Sequence, residues 1–264
     1  MEPAFGSYTP TPTQQRLIDL VRNSFLRRGS FRPLMARTVN ALRDGPLDMH
    51  FMNTPFRLRP LRSAVDLGMT FNADYNGTEI RFLLQAIPDN GVFVDVGCNI
   101  GMYSLSIAHE IAPRNGRVIG LEPHPEARAY LEFNIAAARL TNFTLVTTAA
   151  GDFTGEAKIE TNAENLGGSG IAEDGDIPIS VRPLLDILRD QSVTRIDALK
   201  IDVEGYEDRA LMPFFETAPD TLWPKALVLE YSERESWLRD LLGHLQTIGY
   251  HEAGRTRSNM LLNR

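Results

Sequence analysis

The segment Val94-Asp95-Val96-Gly97-Cys98-Asn99-Ile100-Gly101-Met102 decides the fold of this chain. Residues 92–96 are apolar except for one acid, which is typical of a strand buried on both faces of a parallel sheet. Gly97 and Gly101 allow a tight turn and a close approach of a ligand to the backbone. The apolar spacing after the turn predicts a helix over residues 102–111. Free N–H groups at the start of that helix suit a ligand carboxylate, so we expect a binding site at the turn.

Strands and helices alternate outward from this unit. Further strands are predicted over residues 117–122, 144–149, 177–181, 198–203 and 226–230, and helices over residues 79–87, 125–139, 183–189 and 235–248. This alternation indicates an α/β fold with a doubly wound, mostly parallel sheet and helices on both faces. Residues 250–253 and 260–262 predict a C-terminal hairpin, which would add an antiparallel edge to the sheet.

The first 75 residues do not show this alternation of strands and helices. Apolar spacing predicts helices over residues 11–28 and 31–43, and these are followed by a small hairpin with strands over residues 49–52 and 56–58. The apolar content of this segment is thin for an independent core. We therefore predict that residues 1–75 form a helical and hairpin cap on a ligand-binding catalytic domain of residues 76–264.

Charge and cysteine content exclude several classes of protein. The formal net charge of −7 argues against a nucleic-acid partner, although residues 1–70 contain ten arginines and five acids. That basic stretch could contact an anionic substrate, a membrane surface or a partner subunit such as a second copy, or could be a solvated helix face. The single cysteine, Cys98, permits no internal disulfide. Without a signal-peptide pattern or a long apolar run, we expect a cytoplasmic protein.

The acids at the strand ends indicate the kind of cofactor. Asp95 would repel a pyrophosphate, so a cofactor with both a carboxylate and an ammonium suits the turn better. A nicotinamide cofactor requires glycines at positions 97, 99 and 102, but this chain has Asn99 and Met102. Glu122, at the end of the second strand, can accept hydrogen bonds from ribose hydroxyls of either cofactor. Asp152 is a candidate acceptor for an adenine amino group, or an ordinary turn residue.

The predicted strand over residues 198–203 begins an unusual run of charges. Lys200, Asp202 and Glu204 alternate with apolar residues, so an extended strand would place all three on one side. Charges in a central strand are costly unless they are paired or lie at a functional end. A structural ion pair between Lys200 and Asp202 and a catalytic role are therefore both open. Glu230, at the end of the predicted strand over residues 226–230, could complete a carboxylate cluster.

These segments together resemble the FkbM family of methyltransferases. VDVGCNIG at residues 94–101 and LKIDVEGYE at residues 199–207 match the two family motifs, with Cys98 in place of the usual alanine. The resemblance implies a class I methyltransferase with a Rossmann-like, seven-stranded sheet, S-adenosylmethionine as the methyl donor, and O-methylation of a hydroxyl on a sugar, glycan or natural product. The cofactor-binding residues that we predict on this basis are Asp95, Gly97, Asn99, Gly101, Glu122 and Asp152.

For the reaction itself we predict a catalytic set of Asp202, Glu204 and Lys200. An acceptor hydroxyl must be aligned and must lose its proton, and Asp202, Glu204 or the loop residue His124 could accept that proton. Alternatively, Asp202, Glu204 and Glu230 could bind a divalent ion such as Mg²⁺, although we favour a metal-free reaction.

Other interpretations stay open on the sequence alone. The glycine-rich residues 165–171 could be a lid over the acceptor or a plain linker. The alternative functions are an N-methyltransferase acting on a small molecule, a nicotinamide-dependent oxidoreductase, and a protein that binds the cofactor without turnover.

Overall fold

The computed structural model describes residues 2–160, 168, 170–171 and 174–264. Nine helices lie in these residues: α1 (Pro12–Arg22), α2 (Phe31–Leu42), α3 (Ala64–Phe71), α4 (Gly77–Ala86), α5 (Met102–Ile111), α6 (Pro125–Ala138), α7 (Leu184–Asp190), α8 (Glu207–Thr217) and α9 (Leu241–Thr247). The same residues contain the strands β1 (Leu47–Phe51), β2 (Thr54–Leu58), β3 (Val92–Val96), β4 (Arg117–Leu121), β5 (Phe143–Val146), β6 (Ala149–Gly151), β7 (Gly155–Ile159), β8 (Ile177–Pro183), β9 (Ala198–Ile201), β10 (Ala226–Glu230), β11 (His251–Arg255) and β12 (Asn259–Asn263).

Seven strands form the central sheet, in the order β11-β12-β10-β9-β3-β4-β5. The five strands from β10 to β5 are parallel, whereas β12 runs antiparallel to β10 and pairs with β11 as a hairpin. The strand order reverses between β3 and β9, because the chain places β4 and β5 on one side of β3 and β9 and β10 on the other. The predicted α/β fold with an antiparallel C-terminal hairpin is confirmed.

Apolar layers cover both faces of the sheet. Along β3, Phe93 packs into one buried cluster and Val94 into the other, and Val118 and Ile119 of β4 divide in the same way. The first cluster includes side chains of α4 and α5, and the second includes side chains of α7 and α8. Successive residues of a strand point to opposite faces, so this division is that of a doubly wound sheet.

A second, three-stranded sheet was not predicted. The strand predicted over residues 144–149 is two strands, because β5 ends at Val146 and β6 starts at Ala149 in the order β6-β8-β7. The strand predicted over residues 177–181 belongs to this second sheet, where β8 is antiparallel to β7 and parallel to β6. The sequence Gly155–Ile159 has little apolar content, so nothing local marks β7 as a strand.

Several helix boundaries also differ from the prediction. The helix predicted over residues 11–28 ends at Arg22 and is followed by a 3-10 turn at Phe25–Arg27, whose Leu26 N–H is capped by Ser24. Helix α3 was missed, although the Ser63 hydroxyl caps its start. The helix predicted over residues 235–248 is only α9, since the Asp240 side chain caps a new start there.

The N-terminal segment shares the core of the sheet. Ile18 and Phe71 are buried in the same cluster as Phe93. The predicted β1–β2 hairpin is present, and the Arg57 N–H of β2 donates to Asn134 Oδ1 of α6 over 2.9 Å. The division at residue 75 into a cap and a catalytic domain stays a prediction. None of the helices in the described residues is both long enough and apolar enough to cross a bilayer.

Candidate active site

A cavity lies at the carboxyl ends of β3, β4 and β9, beside the point where the strand order reverses. Open α/β sheets bind their ligands at this position. The predicted site residues in its wall are Gly97, Asn99, Glu122, Lys200, Asp202 and Glu204. The structure therefore brings together residues from three strand ends that are far apart in the sequence.

The turn after β3 is tied to both neighbouring strands. Gly97 has a φ of +79°, and a Cβ at this position would lie 2.0 Å from the Asp202 carbonyl oxygen. The Asn99 N–H donates to Glu122 Oε2 over 2.7 Å. Gly101 has a φ of +93° but lies outside the cavity wall, where a Cβ would meet Leu105. Gly97 thus shapes the cavity, whereas Gly101 permits close packing of helix α5.

Asp95 is fully buried behind the cavity wall. It accepts a hydrogen bond from the Ser104 hydroxyl, and its Oδ1 lies 3.4 Å from Lys200 Nζ. Burial raises the pKa of Asp95, while the nearby ammonium of Lys200 opposes the shift. Asp95 is absent from the cavity wall and its carboxylate faces Lys200 and Ser104, so its contact with the cofactor stays a prediction.

Lys200 stands between two carboxylates. Its Nζ lies 3.7 Å from Asp202 Oδ2 and donates to the Gly97 carbonyl over 2.8 Å. Burial lowers the pKa of Lys200, but the charges of Asp95 and Asp202 outweigh it and raise the pKa overall. The side chain is therefore a fixed ammonium, which cannot accept a proton. Its geometry suits a positioning role for the turn, and the structural ion pair considered from the sequence is present.

Glu122 connects the turn to β4. Its Oε1 accepts from the His124 N–H over 2.9 Å, and its Oε2 accepts from Asn99. Burial raises the pKa of Glu122 to about 7. Each carboxylate oxygen can accept more than one hydrogen bond, so Glu122 can still receive ribose hydroxyls in the cavity.

His124 is buried and lies in the cavity wall. It caps helix α6, with Nδ1 accepting from the N–H groups of Glu126 (3.2 Å) and Ala127 (3.4 Å). Burial lowers the pKa of His124, so we assign a neutral ring with its proton on Nε2. Nε2 is buried and has no hydrogen-bond partner among the described residues. A neutral ring with its proton on Nε2 presents a hydrogen-bond donor to the cavity, and the role of His124 as a base stays a prediction.

The acids after β9 are not arranged as predicted. The strand ends at Ile201 instead of residue 203, and Glu204 adopts a φ of +53°. Lys200, Asp202 and Glu204 therefore do not continue one side of an extended strand. Glu204 is exposed by surface area, yet neighbouring atoms crowd its carboxylate. This loss of solvent and the charges of Asp202 and Glu230 raise the pKa of Glu204 to about 8.

The predicted metal-ligand set also changes. Oxygens of Asp202, Glu207 and Glu230 lie within 4.8 Å of one another, so Glu207 takes the place predicted for Glu204. Glu207 already accepts hydrogen bonds on both oxygens, from the Val203 N–H over 2.8 Å and from Trp237 Nε1 over 2.9 Å. These bonds give Glu207 a structural role at the start of α8.

Two predictions concern the segment between β6 and β8. Asp152 lies outside the cavity wall and forms an ion pair with Arg209, at 3.1 Å from Nε. This position argues against contact with an adenine. The lid prediction for residues 165–171 falls mainly outside the described residues, of which Gly170 and Ile171 do line the cavity.

Part of the cavity wall was not foreseen. Tyr75, Asn76 and Tyr103 line it, and Asn76 Nδ2 donates to the Tyr103 hydroxyl over 2.9 Å. Ala64 of α3 and Ser258 of the C-terminal hairpin add to the same wall. These residues belong to no motif, so no signal in the sequence marks them.

Unpaired polar atoms test whether the predicted cofactor fits. Asn99 Oδ1 and His124 Nε2 are both buried without a partner in the described part of the chain, and both residues are in the cavity wall. One atom is an acceptor and the other a donor. With Glu122 as a second acceptor, the set suits a ligand that carries an ammonium, hydroxyls and ring nitrogens, as S-adenosylmethionine does.

Comparison with known proteins places residues 95–251, more than half of the chain, within the family model described as the methyltransferase FkbM domain. No curated protein matches the chain. The solved structures that resemble it include the precorrin-6y C5,15-methyltransferase from Geobacter metallireducens GS-15, with 15% identity over 73% of this chain and 90% of that chain and a TM-score of 0.47.

Two other solved structures show similar values. The methyltransferase FkbM from Methylobacillus flagellatus KT is 18% identical over 95% of this chain and 58% of that chain, with a TM-score of 0.41. A tRNA (uracil-54, C5)-methyltransferase from Pyrococcus abyssi in complex with S-adenosyl-L-homocysteine is 10% identical over 83% of this chain and 43% of that chain, with a TM-score of 0.45. Because these TM-scores are below 0.5, family membership rests on the family model that matches residues 95–251.

Proposed function

Because the chain belongs to the FkbM methyltransferase family and is an S-adenosylmethionine-dependent methyltransferase, we propose that it methylates a hydroxyl on a sugar, a glycan or a small natural product. One observation carries the proposal of O-methylation. Glu204 and Asp202 line the same cavity as Asn99 and Glu122, so carboxylates stand beside the groups that suit the cofactor. An alcohol acceptor must lose its proton, and a carboxylate with a raised pKa can accept it.

We assign the cofactor to the wall formed by the turn after β3 and the end of β4. Glu122 would accept from ribose hydroxyls, Asn99 Oδ1 would accept from the ammonium, and His124 Nε2 would donate to an acceptor atom of the nucleoside. When bound, S-adenosylmethionine supplies a methyl group that is already activated by a positive sulfur. The protein must therefore align the acceptor and remove a proton, and alignment alone can lower the barrier by several kcal/mol.

Within the catalytic set, we propose Glu204 as the general base. The pKa of Glu204 is raised to about 8, so near neutral pH this carboxylate binds a proton more strongly than an ordinary glutamate. Asp202 faces the ammonium of Lys200 at 3.7 Å, so its carboxylate is engaged in an ion pair. As the acceptor oxygen takes the methyl group, its proton passes to Glu204, while Asp202 orients the hydroxyl and Lys200 fixes Gly97.

Tyr75, Asn76 and Tyr103 suit the acceptor, because they line the cavity with two aromatic rings, their hydroxyls and an amide. A sugar ring presents both C–H faces and hydroxyls to such a surface. The N-terminal segment, through Ala64 and Tyr75, would then select the acceptor. A cytoplasmic location, a homodimer and the absence of a nucleic-acid partner stay predictions.

The proposal is tested by screening hydroxylated sugars and natural products with methyl-labelled S-adenosylmethionine. We expect label in an ether linkage, with little transfer by Glu204→Gln, whose affinity for S-adenosylhomocysteine should be unchanged. Transfer to an amine acceptor would point to N-methylation instead. Binding of S-adenosylhomocysteine without turnover on any acceptor class, at every pH, would leave the site as a cofactor-binding module and contradict the proposal.

A further inference from the structure

An exposed surface with both apolar and basic residues lies on the N-terminal segment, away from the residues assigned to catalysis. Residues 22–43 contain six arginines and no acid, although the whole chain carries a net charge of −7. The surface, called here the basic-aromatic patch, lies on α2 and the 3-10 turn before it. It consists of Phe25, Arg27, Arg28, Phe31, Leu34 and Arg37.

The apolar side chains of the patch are largely in solvent. Phe25 is 69% exposed, Phe31 is 44% exposed and Leu34 is 55% exposed. The two phenylalanine rings contact each other edge to face, with centroids 5.6 Å apart. Leu26 packs against the core and holds the turn in place. Large exposed apolar groups that cluster in this way mark interaction surfaces.

The basic side chains of the patch are not neutralised by any acidic residue that the structure describes. Arg27, Arg28 and Arg37 are exposed, and none of them forms an ion pair with another described residue. Their charges therefore face the solvent beside the exposed rings. An occupant of this surface must be both anionic and able to bury apolar side chains.

From this combination we propose that the basic-aromatic patch docks the protein on an anionic lipid bilayer. Phe25, Phe31 and Leu34 insert into the boundary between headgroups and acyl chains, while the arginines contact anionic headgroups. A second copy of the chain fits less well, because a two-fold interface would bring the same arginines together. The edge-to-face rings and the leucine also differ from the flat stacking platforms that bind single-stranded RNA.

The patch is connected to the cavity wall through one helix. Helix α2 packs against α3, and α3 contributes Ala64 and Val65 to the cavity wall. The inference does not depend on the proposed O-methylation, because it concerns a surface that the reaction does not use.

The test is co-sedimentation of the full chain with vesicles of phosphatidylcholine and phosphatidylserine in equal parts, compared with phosphatidylcholine alone. We expect binding to the mixed vesicles that weakens as salt rises, because salt screens the arginines. The double variant Arg27→Glu, Arg28→Glu should bind at least about fivefold more weakly for each arginine lost. The double variant Phe25→Ser, Phe31→Ser should also lose binding.

Matched controls change exposed apolar and basic residues elsewhere. Leu238→Ser removes a 76% exposed leucine, and Arg139→Glu reverses an exposed charge on α6's C-terminal side; both should bind vesicles like the original chain. All the changes are at exposed positions, so circular dichroism should show the same melting for every variant.

Three results would overturn the proposal. One is equal binding to mixed vesicles by the original chain and both patch variants, and another is an absence of binding to mixed vesicles at low salt. The third is a dimer, or a complex with single-stranded RNA, that the patch variants abolish while vesicle binding is absent. Methyl transfer in solution is expected to be unchanged in both patch variants, which separates this inference from the assignment of the reaction.

Discussion

Gly97 faces the carbonyl oxygen of Asp202 so closely that a Cβ on Gly97 would lie 2.0 Å from that oxygen. The two residues end neighbouring strands β3 and β9 and lie far apart in the sequence. Their approach brings the cofactor turn against the acids of the catalytic set. This close approach therefore requires a residue without a side chain at position 97.

Gly97→Ala should destabilise the protein and abolish binding of S-adenosylhomocysteine. The left-handed φ of +79° costs an alanine about 1–2 kcal/mol, and the overlap with backbone adds to that. Thermal unfolding and calorimetry measure the two effects. Gly254→Ala is the matched control, because a Cβ there meets no atom within 4 Å. An alanine variant at position 97 with normal affinity would show that the turn can move.

Lys200→Met should lower the free energy of unfolding by about 3–5 kcal/mol, because it leaves two carboxylates without their buried counter-ion. Urea unfolding measures the change. The double variant Lys200→Met, Asp95→Asn removes one of those charges, so it should recover part of the loss. If the double variant were less stable than Lys200→Met, the ion pair of Lys200 with Asp95 would not be the reason for the effect.

Glu204→Gln should reduce turnover strongly with little change in cofactor affinity, because the proposed base no longer accepts a proton. In the original enzyme, the rate should rise with pH as Glu204 loses its proton. The inflection should lie above the ordinary range of a glutamate, towards pH 8, since the pKa of Glu204 is raised to that value. A pH–rate profile of both proteins checks this, and an unchanged inflection in the variant would falsify the assignment.

His124→Asn should weaken binding of S-adenosylhomocysteine by about 2–10-fold, the usual value of one neutral hydrogen bond. Asparagine retains the helix cap of α6 but removes the Nε2 donor. Stability should therefore stay close to that of the original chain, whereas His124→Ala should lose both stability and affinity. Equal affinities for the original and the asparagine variant would mean that Nε2 does not contact the cofactor.

Exhaustive chelation of divalent ions should leave turnover unchanged. The proposed base, Glu204, takes the proton directly, and Glu207 of the acidic cluster already accepts a hydrogen bond on each oxygen, so the proposed reaction needs no cation. Activity with and without a chelator, followed by addition of Mg²⁺, measures this. A loss of turnover that Mg²⁺ alone restores would replace Glu204 by a bound ion as the means of acidifying the acceptor.

Local patterns were sufficient for the central fold. The apolar runs of β3 and β10 coincide with the observed strands Val92–Val96 and Ala226–Glu230, and helix α5 has its predicted ends. In each case, the apolar pattern of neighbouring residues is sufficient to identify the element and its buried side chains. The same patterns failed at β7, a short strand with few apolar residues, and at α3, whose eight residues span too few turns to reveal a helical period.

The sequence alone determined the α/β class, the glycine turn after β3 and the acids that end β4 and β9, since each depends on residues close together in the chain. Tertiary structure alone decided the state of each acid and base. Lys200 is a fixed ammonium because Asp95 and Asp202 flank it. His124 presents Nε2 as a donor, because burial lowers the pKa of the ring and Nδ1 accepts from the first N–H groups of α6. Charge and hydrogen bonding depend on neighbours in space, and those neighbours come from strand ends whose distance in the chain hides their contact.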